Sequence, residues 1–174
     1  EIPASIIFID LEDSAQMLTR LGDEENQTLL ASHSKIIRDQ LDKYGGVEVK
    51  TMGDGFMIAF YSGRKAVSCA VDIQRDLQEL NRENPERQLK VRIGLNLGEV
   101  IKEEEDYFGS AEAMAARIID ESKGGQVLVS DLLRQVAEGP SNTEHQYLDF
   151  GRRTLKGFED EEQIYEVLWQ ATAE

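Results

Sequence analysis

The sequence has only one cysteine, Cys69, in 174 residues. A single cysteine excludes both an intramolecular disulfide and a zinc site built on several cysteines. Because Cys69 falls within an apolar helical pattern, we interpret it as a small core residue. Apolar runs near the roughly 20 residues of a membrane span are also missing, as is a recognisable signal peptide. Since the chain begins with Glu1 rather than Met, we expect a domain excised from a longer protein, which could carry its own anchor. For the domain itself we expect a cytoplasmic location without membrane contact.

Basic residues are few: 19 lysines and arginines stand against 34 aspartates and glutamates, which gives a net charge of −15. This balance argues against a nucleic-acid-binding surface, which needs clustered lysine and arginine. A nucleotide site on so acidic a chain would need metal ions and a few well-placed cations to reverse the local field. The length and the hydrophobic content of 40% suffice for a proper core, and we predict one domain over residues 1–174.

Hydrophobic periodicity and turn residues predict the order of the elements. Strands are predicted at residues 4–10, 47–51, 56–60, 89–95, 100–102, 127–129, 146–150 and 163–169, and helices at 15–21, 24–44, 63–80, 110–119 and 131–137. We interpret Gly98 and Glu99 as a turn and residues 81–88 as a loop, and we expect His33 to be half-buried or on a helix surface. The order predicts an α+β fold: a ferredoxin-like βαββαβ core sheet with helices on one face and a C-terminal αβ extension.

The stretch from Lys50 to Met57 carries the clearest functional pattern. Two β-prone runs flank Gly53-Asp54-Gly55, which predicts a β-hairpin with one carboxylate at its tip. A second predicted strand ends in Asp10. If the two strands pair in one sheet, Asp10 and Asp54 can share a divalent cation, although each carboxylate could instead serve only a turn or a helix cap.

Seven short blocks, in order and with consistent spacing, resemble the catalytic domain of class III nucleotide cyclases over nearly the whole chain. They are residues 8–11 (FIDL), 50–57 (KTMGDGFM), 92–95 (RIGL), 98–100 (GEV), 106–109 (DYFG), 115–117 (AAR) and 155–157 (LKG). The resemblance implies an adenylate or guanylate cyclase, in which a ribose 3′-hydroxyl attacks the α-phosphate and pyrophosphate leaves. In this family the sites are shared between the two protomers of a head-to-tail homodimer.

The resemblance also implies roles for single residues. Asp10, Asp54 and the main-chain carbonyl of Leu11 would hold two Mg²⁺ or Mn²⁺ ions. Arg117 would stabilise charge that develops on the α-phosphate, and Lys156 would bind the terminal phosphates. Arg117 could instead simply pair with acids three and four residues further along its helix.

Lys50 and Asp106 would read the base. A lysine donates to a ring nitrogen and a carboxylate accepts from an exocyclic amine, and adenine offers that pair on its Watson–Crick edge. We therefore predict an adenylate cyclase that converts ATP to 3′,5′-cyclic AMP. One protomer would bring Asp10 and Asp54, and its partner Lys50, Asp106 and Arg117. Lys50 could instead be only a solvent-facing strand residue.

Four positions depart from the family pattern. The family usually has an asparagine that orients the ribose where this chain has Ala113, and an apolar residue where it has Glu112. The loop after the first metal aspartate holds Asp13 and Ala15 in place of a glycine and a threonine. Ala113 and Asp13 favour one alternative, a degenerate homologue that binds nucleotide or dimerises to regulate a partner without turnover. A guanylate cyclase is a further alternative.

Overall fold

A computed structural model describes residues 2–12, 22–85, 88–104, 106–139 and 144–170, with the side chains of residues 23 and 108 excepted. The strands are β1 (Ile2–Leu11), β2 (Val47–Met52), β3 (Gly55–Phe60), β4 (Val91–Glu103), β5 (Asp106–Phe108), β6 (Val127–Ser130), β7 (Gln146–Thr154) and β8 (Glu161–Leu168). The helices are α1 (Asp23–Tyr44), α2 (Gly63–Glu83), α3 (Ser110–Asp120) and α4 (Asp131–Glu138). The helix predicted at 15–21 lies outside the described residues.

The strands form one sheet in the order β2-β3-β1-β4-β6-β8-β7, and β5 pairs with β4 beside this path. All neighbouring strands are antiparallel except β4 and β6. The predicted α+β fold is confirmed. β1 lies between β3 and β4, so the strand that ends in Asp10 is central to the sheet.

Both faces of β1 are buried, which explains its unbroken apolar sequence. Ile7 and Ile9 belong to the larger core cluster, to which α1, α2 and α4 contribute side chains. Ile6 and Phe8 point to the other face, where they cluster with residues of α3. The placement of helices therefore differs in one detail from the prediction, because α3 covers the face opposite the other three.

The predicted turn at Gly98 and Glu99 is wrong, because β4 runs without interruption through both residues. Gly98 serves close packing instead: a Cβ atom there would lie 2.7 Å from the Cβ atom of Ala111 in α3. Gly94 has a similar role, since its Cβ atom would lie 2.6 Å from the main-chain nitrogen of Ile119. The two glycines let α3 approach the sheet closely.

The loop predicted at 81–88 also begins too early, because α2 continues to Glu83. The Asn81 side chain explains how this helix end is joined to β4. Its amide nitrogen donates to the main-chain oxygen of Leu89 at 2.7 Å, and its oxygen accepts from the Leu89 N–H at 2.8 Å. A polar residue that sequence reasoning assigns to a loop therefore connects a helix to the following segment.

The interpretation of His33 as a surface or half-buried residue is wrong, because it is only 1% exposed. Its ring meets the ring of Phe56 edge-on, with the centroids 6.1 Å apart. Burial lowers the pKa of His33 to about 4, and its Nε2 atom has no hydrogen-bond partner among the described residues. The interpretation of Cys69 as a core residue is confirmed, since it is fully buried.

Candidate active site

The hairpin places Asp54 next to the end of β1. β2 and β3 pair down to Met52 and Gly55, as predicted, and Gly53 takes the left-handed conformation that the turn requires (φ 62°). A Cβ atom on Gly55 would lie 2.7 Å from the main-chain oxygen of Ile9 and 3.4 Å from the Cβ atom of Asp10. The turn that carries Asp54 therefore lies against the strand end that carries Asp10.

Asp10 makes a bidentate ion pair with Arg92, its direct partner across β1 and β4. The Arg92 Nε atom donates to Oδ1 at 3.1 Å and Nη2 donates to Oδ2 at 2.5 Å. This hydrogen-bonded pair raises the pKa of Arg92. The sequence places Arg92 in a family motif but predicts no role for it. Only the strand register, which the sequence does not supply, brings it opposite Asp10.

The oxygen atoms at this strand end suit a hard divalent cation. Asp10 and Asp54 would supply carboxylates, and Leu11 would supply a main-chain carbonyl. The described residues contain no group of three or more histidine, cysteine, aspartate or glutamate side chains placed to hold a metal alone. Two carboxylates and one carbonyl leave coordination positions for phosphate oxygens and water, as is usual for Mg²⁺. The residues therefore fit Mg²⁺ or Mn²⁺ bound together with a phosphate ligand.

Lys50 and Asp106 form a pair within one chain. The Lys50 Nζ atom donates to Asp106 Oδ2 at 3.0 Å, and the main-chain N–H of Tyr107 donates to Oδ1 at 2.8 Å. The hydrogen bond from Lys50 is the main reason that the pKa of Asp106 is lowered. Both side chains are about one-third exposed, so their remaining donor and acceptor capacity is open to a ligand.

A cavity of about 560 Å³ lies between α3 and the ends of β1 and β2. Its lining includes Asp10 and Gly55 on one side and Glu112, Ala113 and Arg117 on the other. Arg117 also pairs with Asp120, with Nη1 and Oδ2 3.4 Å apart, as the alternative interpretation expects. The structure thus brings Asp10 and Arg117 to one cavity. The other predicted site residues are not among its lining residues: Leu11, Lys50, Asp54, Asp106 and Lys156.

Lys156 lies on an exposed turn between β7 and β8. The turn is anchored by Leu155, which is buried against Ile118 of α3. Because Ile118 follows Arg117 directly, the turn lies close to the helix that carries the arginine. Asp13 and Ala15, two of the four departures, lie outside the described residues.

The model of the adenylate and guanylate cyclase catalytic domain matches residues 2–168. The chain belongs to this family, and the predicted membership of the class III nucleotide cyclases is confirmed. Its sequence is 29% identical to putative adenylate cyclase 3 of Rhizobium meliloti (strain 1021) over 157 residues, which cover 90% of this chain and 26% of that protein. The chain spans 26% and 55% of the length of the first curated relatives.

Solved structures of the family share the fold. An adenylate/guanylate cyclase/hydrolase from Silicibacter pomeroyi is 25% identical, with a TM-score of 0.85 and 95% of each chain covered. An adenylate cyclase from Trypanosoma brucei, solved in its monomeric state, is 26% identical with a TM-score of 0.82, and the match covers 95% of this chain and 89% of that one.

None of the described helices has both the length and the apolar character needed to cross a membrane.

Proposed function

We propose that this chain is the catalytic domain of an adenylate cyclase that converts ATP to 3′,5′-cyclic AMP and pyrophosphate. The observation that carries the proposal is the Lys50–Asp106 pair, whose Nζ and Oδ2 atoms are 3.0 Å apart. The ammonium group offers a donor for an adenine ring nitrogen, and the carboxylate offers an acceptor for the exocyclic amine. Guanine presents a carbonyl and a ring N–H at those places and is therefore disfavoured.

Asp10, Asp54 and the Leu11 carbonyl would hold two Mg²⁺ or Mn²⁺ ions. Bound there, such ions would supply activation of the 3′-hydroxyl and neutralisation of the triphosphate. Arg92 would help to position the Asp10 carboxylate, which it contacts with two hydrogen bonds. The chain has a net charge of −15. A polyanionic substrate therefore needs the metal ions to reverse the negative electrostatic field at the site.

Arg117 would stabilise the charge that develops on the α-phosphate. Its present partner, Asp120, is more than half exposed, and such a pair contributes only about 0–1 kcal/mol. The guanidinium group can therefore leave Asp120 for a phosphate at little cost. Lys156 would bind the terminal phosphates from its exposed turn.

We further propose a head-to-tail homodimer in which each site takes residues from both protomers. One protomer would bring Asp10 and Asp54, and its partner Lys50, Asp106 and Arg117, with Lys156 on the same side. A two-fold axis then generates two equivalent sites. Large apolar side chains beside Lys50 and Asp106 support an interface there: Met52 is 42% exposed and Tyr61 is 60% exposed.

Turnover of ATP and GTP by the purified chain, measured side by side with Mg²⁺ or Mn²⁺ across protein concentration, tests the proposal. We expect cyclic AMP, a preference for ATP, and a specific activity that rises with the dimer population. Lys50→Ala should reduce the preference for ATP, whereas Lys35→Ala on the exposed surface of α1 serves as the matched control. A preference for GTP would instead identify a guanylate cyclase.

A second candidate function is a regulatory module that binds nucleotide or dimerises without turnover. The observation in its favour is Ala113, which lines the cavity but has no polar side-chain atom to position a sugar. Nucleotide binding without cyclic AMP release would support this module and contradict the enzyme.

A further inference from the structure

Glu112 occupies the first turn of α3 and faces the cavity. The same cavity is lined by Ala116 and Asp120, four and eight positions further on. Residues four apart lie one above another on a helix, so these three side chains form one stripe along the cavity wall. Ala113, which lies next to Glu112 in this wall, offers no hydrogen-bonding group. Glu112 is therefore the polar residue of this stripe at the N-terminal end of α3.

The Glu112 carboxyl is half-buried and has neither a hydrogen bond nor an ion pair within the part of the chain that the structure describes. Burial raises its pKa, the positive charge of Lys50 opposes that shift, and the negative charge of Asp106 adds to it. A partly desolvated carboxyl without a partner is costly, because its lost hydration is not replaced. Such a group suits a ligand that brings hydrogen-bond donors.

The position of Glu112 matches one part of a nucleotide. The charges of the proposed base-reading residues Lys50 and Asp106 both act on the Glu112 carboxyl. Arg117 lines the same cavity and follows Glu112 by five residues, about 7.5 Å along the helix axis. Glu112 thus has the proposed base-reading pair, which does not line the cavity, and a proposed phosphate-binding group, which does, among its neighbours. In every nucleotide the ribose lies between base and phosphate, and a carboxylate is a common acceptor for a ribose 2′-hydroxyl.

We propose that Glu112 is a further substrate-binding residue, whose carboxylate accepts a hydrogen bond from the ribose 2′-hydroxyl and makes the site selective for ribonucleotides. The identity of the nucleotide rests on the proposed function. The 2′-hydroxyl does not react, so a bond to it fixes the sugar while the neighbouring 3′-hydroxyl remains free to attack. Glu112 thereby supplies a polar contact that Ala113 does not offer.

Equilibrium binding of α,β-methylene-ATP and of its 2′-deoxy form tests this assignment, because neither analogue is turned over. The wild-type chain should bind the ribo form about tenfold more tightly or better, since a hydrogen bond to a charged group has roughly that effect. Glu112→Ala should bring the ratio close to one, and so should Glu112→Met, whose long side chain offers only a weakly accepting sulfur. Glu112→Gln retains an acceptor oxygen and should keep part of the ratio. Glu121→Gln, outside the cavity lining, is the matched control and should keep all of it.

A wild-type ratio near one, or an unchanged ratio in Glu112→Ala and Glu112→Met, would overturn the assignment while leaving the proposed function intact. A changed preference between ATP and GTP with an unchanged ribo-to-deoxy ratio would also overturn it, because Glu112 would then act through Lys50 and Asp106. Binding of neither analogue by the wild-type chain would contradict the proposed function as well. A chain that binds both analogues but does not turn over ATP contradicts only the proposed enzyme, and the ratio still decides the role of Glu112.

Discussion

The two faces of β1 are both buried, but they are covered in different ways. We call the side of Ile7 and Ile9, with α1, α2 and α4, the core face, and the side of Phe8 and Asp10, with α3, the site face. On the core face the alternating side chains of the strand remain apolar to its end. On the site face the alternation ends in a carboxylate at the margin of the α3 cavity.

The two faces of β1 therefore serve different purposes: the core face stabilises the fold, and the site face lines the candidate site. The core face buries the larger cluster and so supplies most of the hydrophobic stabilisation. The site face keeps half-exposed charges, Asp10, Glu112 and Arg117, around a cavity. Such charges contribute little to stability when they are paired at a surface. Substitutions on the site face should therefore change activity, and substitutions on the core face should change stability.

The largest expected effect comes from Asp54→Ala in the proposed cyclase. Loss of one metal-binding carboxylate should reduce turnover of ATP by at least about a hundredfold, the size typical of removing one strong electrostatic group. The midpoint of thermal unfolding should change little. Asp39→Ala, an exposed aspartate of α1, is the control for both measurements. Activity near the wild-type level would remove Asp54 from the site.

Ile7→Ala should lower the stability of the core face and leave the candidate site unchanged. Ile7 is fully buried, and truncation of such a side chain costs about 2–5 kcal/mol of the free energy of unfolding. Urea unfolding measures this loss, and KM for ATP should stay unchanged in the folded protein. Leu132→Ala is the control, because Leu132 is mostly exposed and should cost far less. Equal losses in the two variants would contradict the assignment of Ile7 to the core.

His33 makes the core face sensitive to acid. Its pKa is about 4 in the folded chain and 6.5 as the ordinary value, so between these values the unfolded chain binds more protons. The free energy of unfolding should therefore fall as the pH falls from 6.5 towards 4, by up to about 3 kcal/mol. His33→Leu should flatten this part of the profile in urea unfolding at several pH values. The same slope in the variant would show that other groups cause it.

Ala113→Asn has the smallest expected effect of these substitutions and should improve substrate positioning on the site face. A side-chain amide in the cavity wall can position the sugar, and we expect a gain of roughly threefold to tenfold in kcat/KM for ATP. Ser110→Asn places the same amide on α3 but not among the cavity-lining residues, and it should give no gain. An equal effect of both substitutions would mean that helix stability, and not sugar positioning, is responsible.

Much of the fold was predictable because the spacing of apolar residues in the sequence indicates which side chains are buried. The hairpin, β1 and the helices at 24–44 and 110–119 follow directly from the spacing of apolar residues. Gly98 was misread because a glycine inside a strand indicates either a turn or close packing, and only the position of α3 distinguishes the two. His33 was misread because its burial depends on Phe56, which is 23 positions further along the chain.

The candidate site was predictable in its residue types but not in its pairings. The family resemblance implies roles for Asp10, Asp54 and Arg117, and these roles stay predictions. The Asp10–Arg92 ion pair depends on the register of β1 and β4, which no local pattern in the sequence fixes. The position of Glu112 in the cavity wall depends on how α3 packs on the sheet, which Gly94 and Gly98 permit.

The proposed division of each site between two protomers is tested most directly by mixing two inactive variants. Arg117→Ala and Asp54→Ala should each be nearly inactive as homodimers, because every site lacks one group. Mixed in equal amounts and allowed to exchange, they should recover up to about a quarter of the wild-type activity, since half of the dimers then hold one intact site. No recovery from a mixture that demonstrably forms mixed dimers would contradict the shared site.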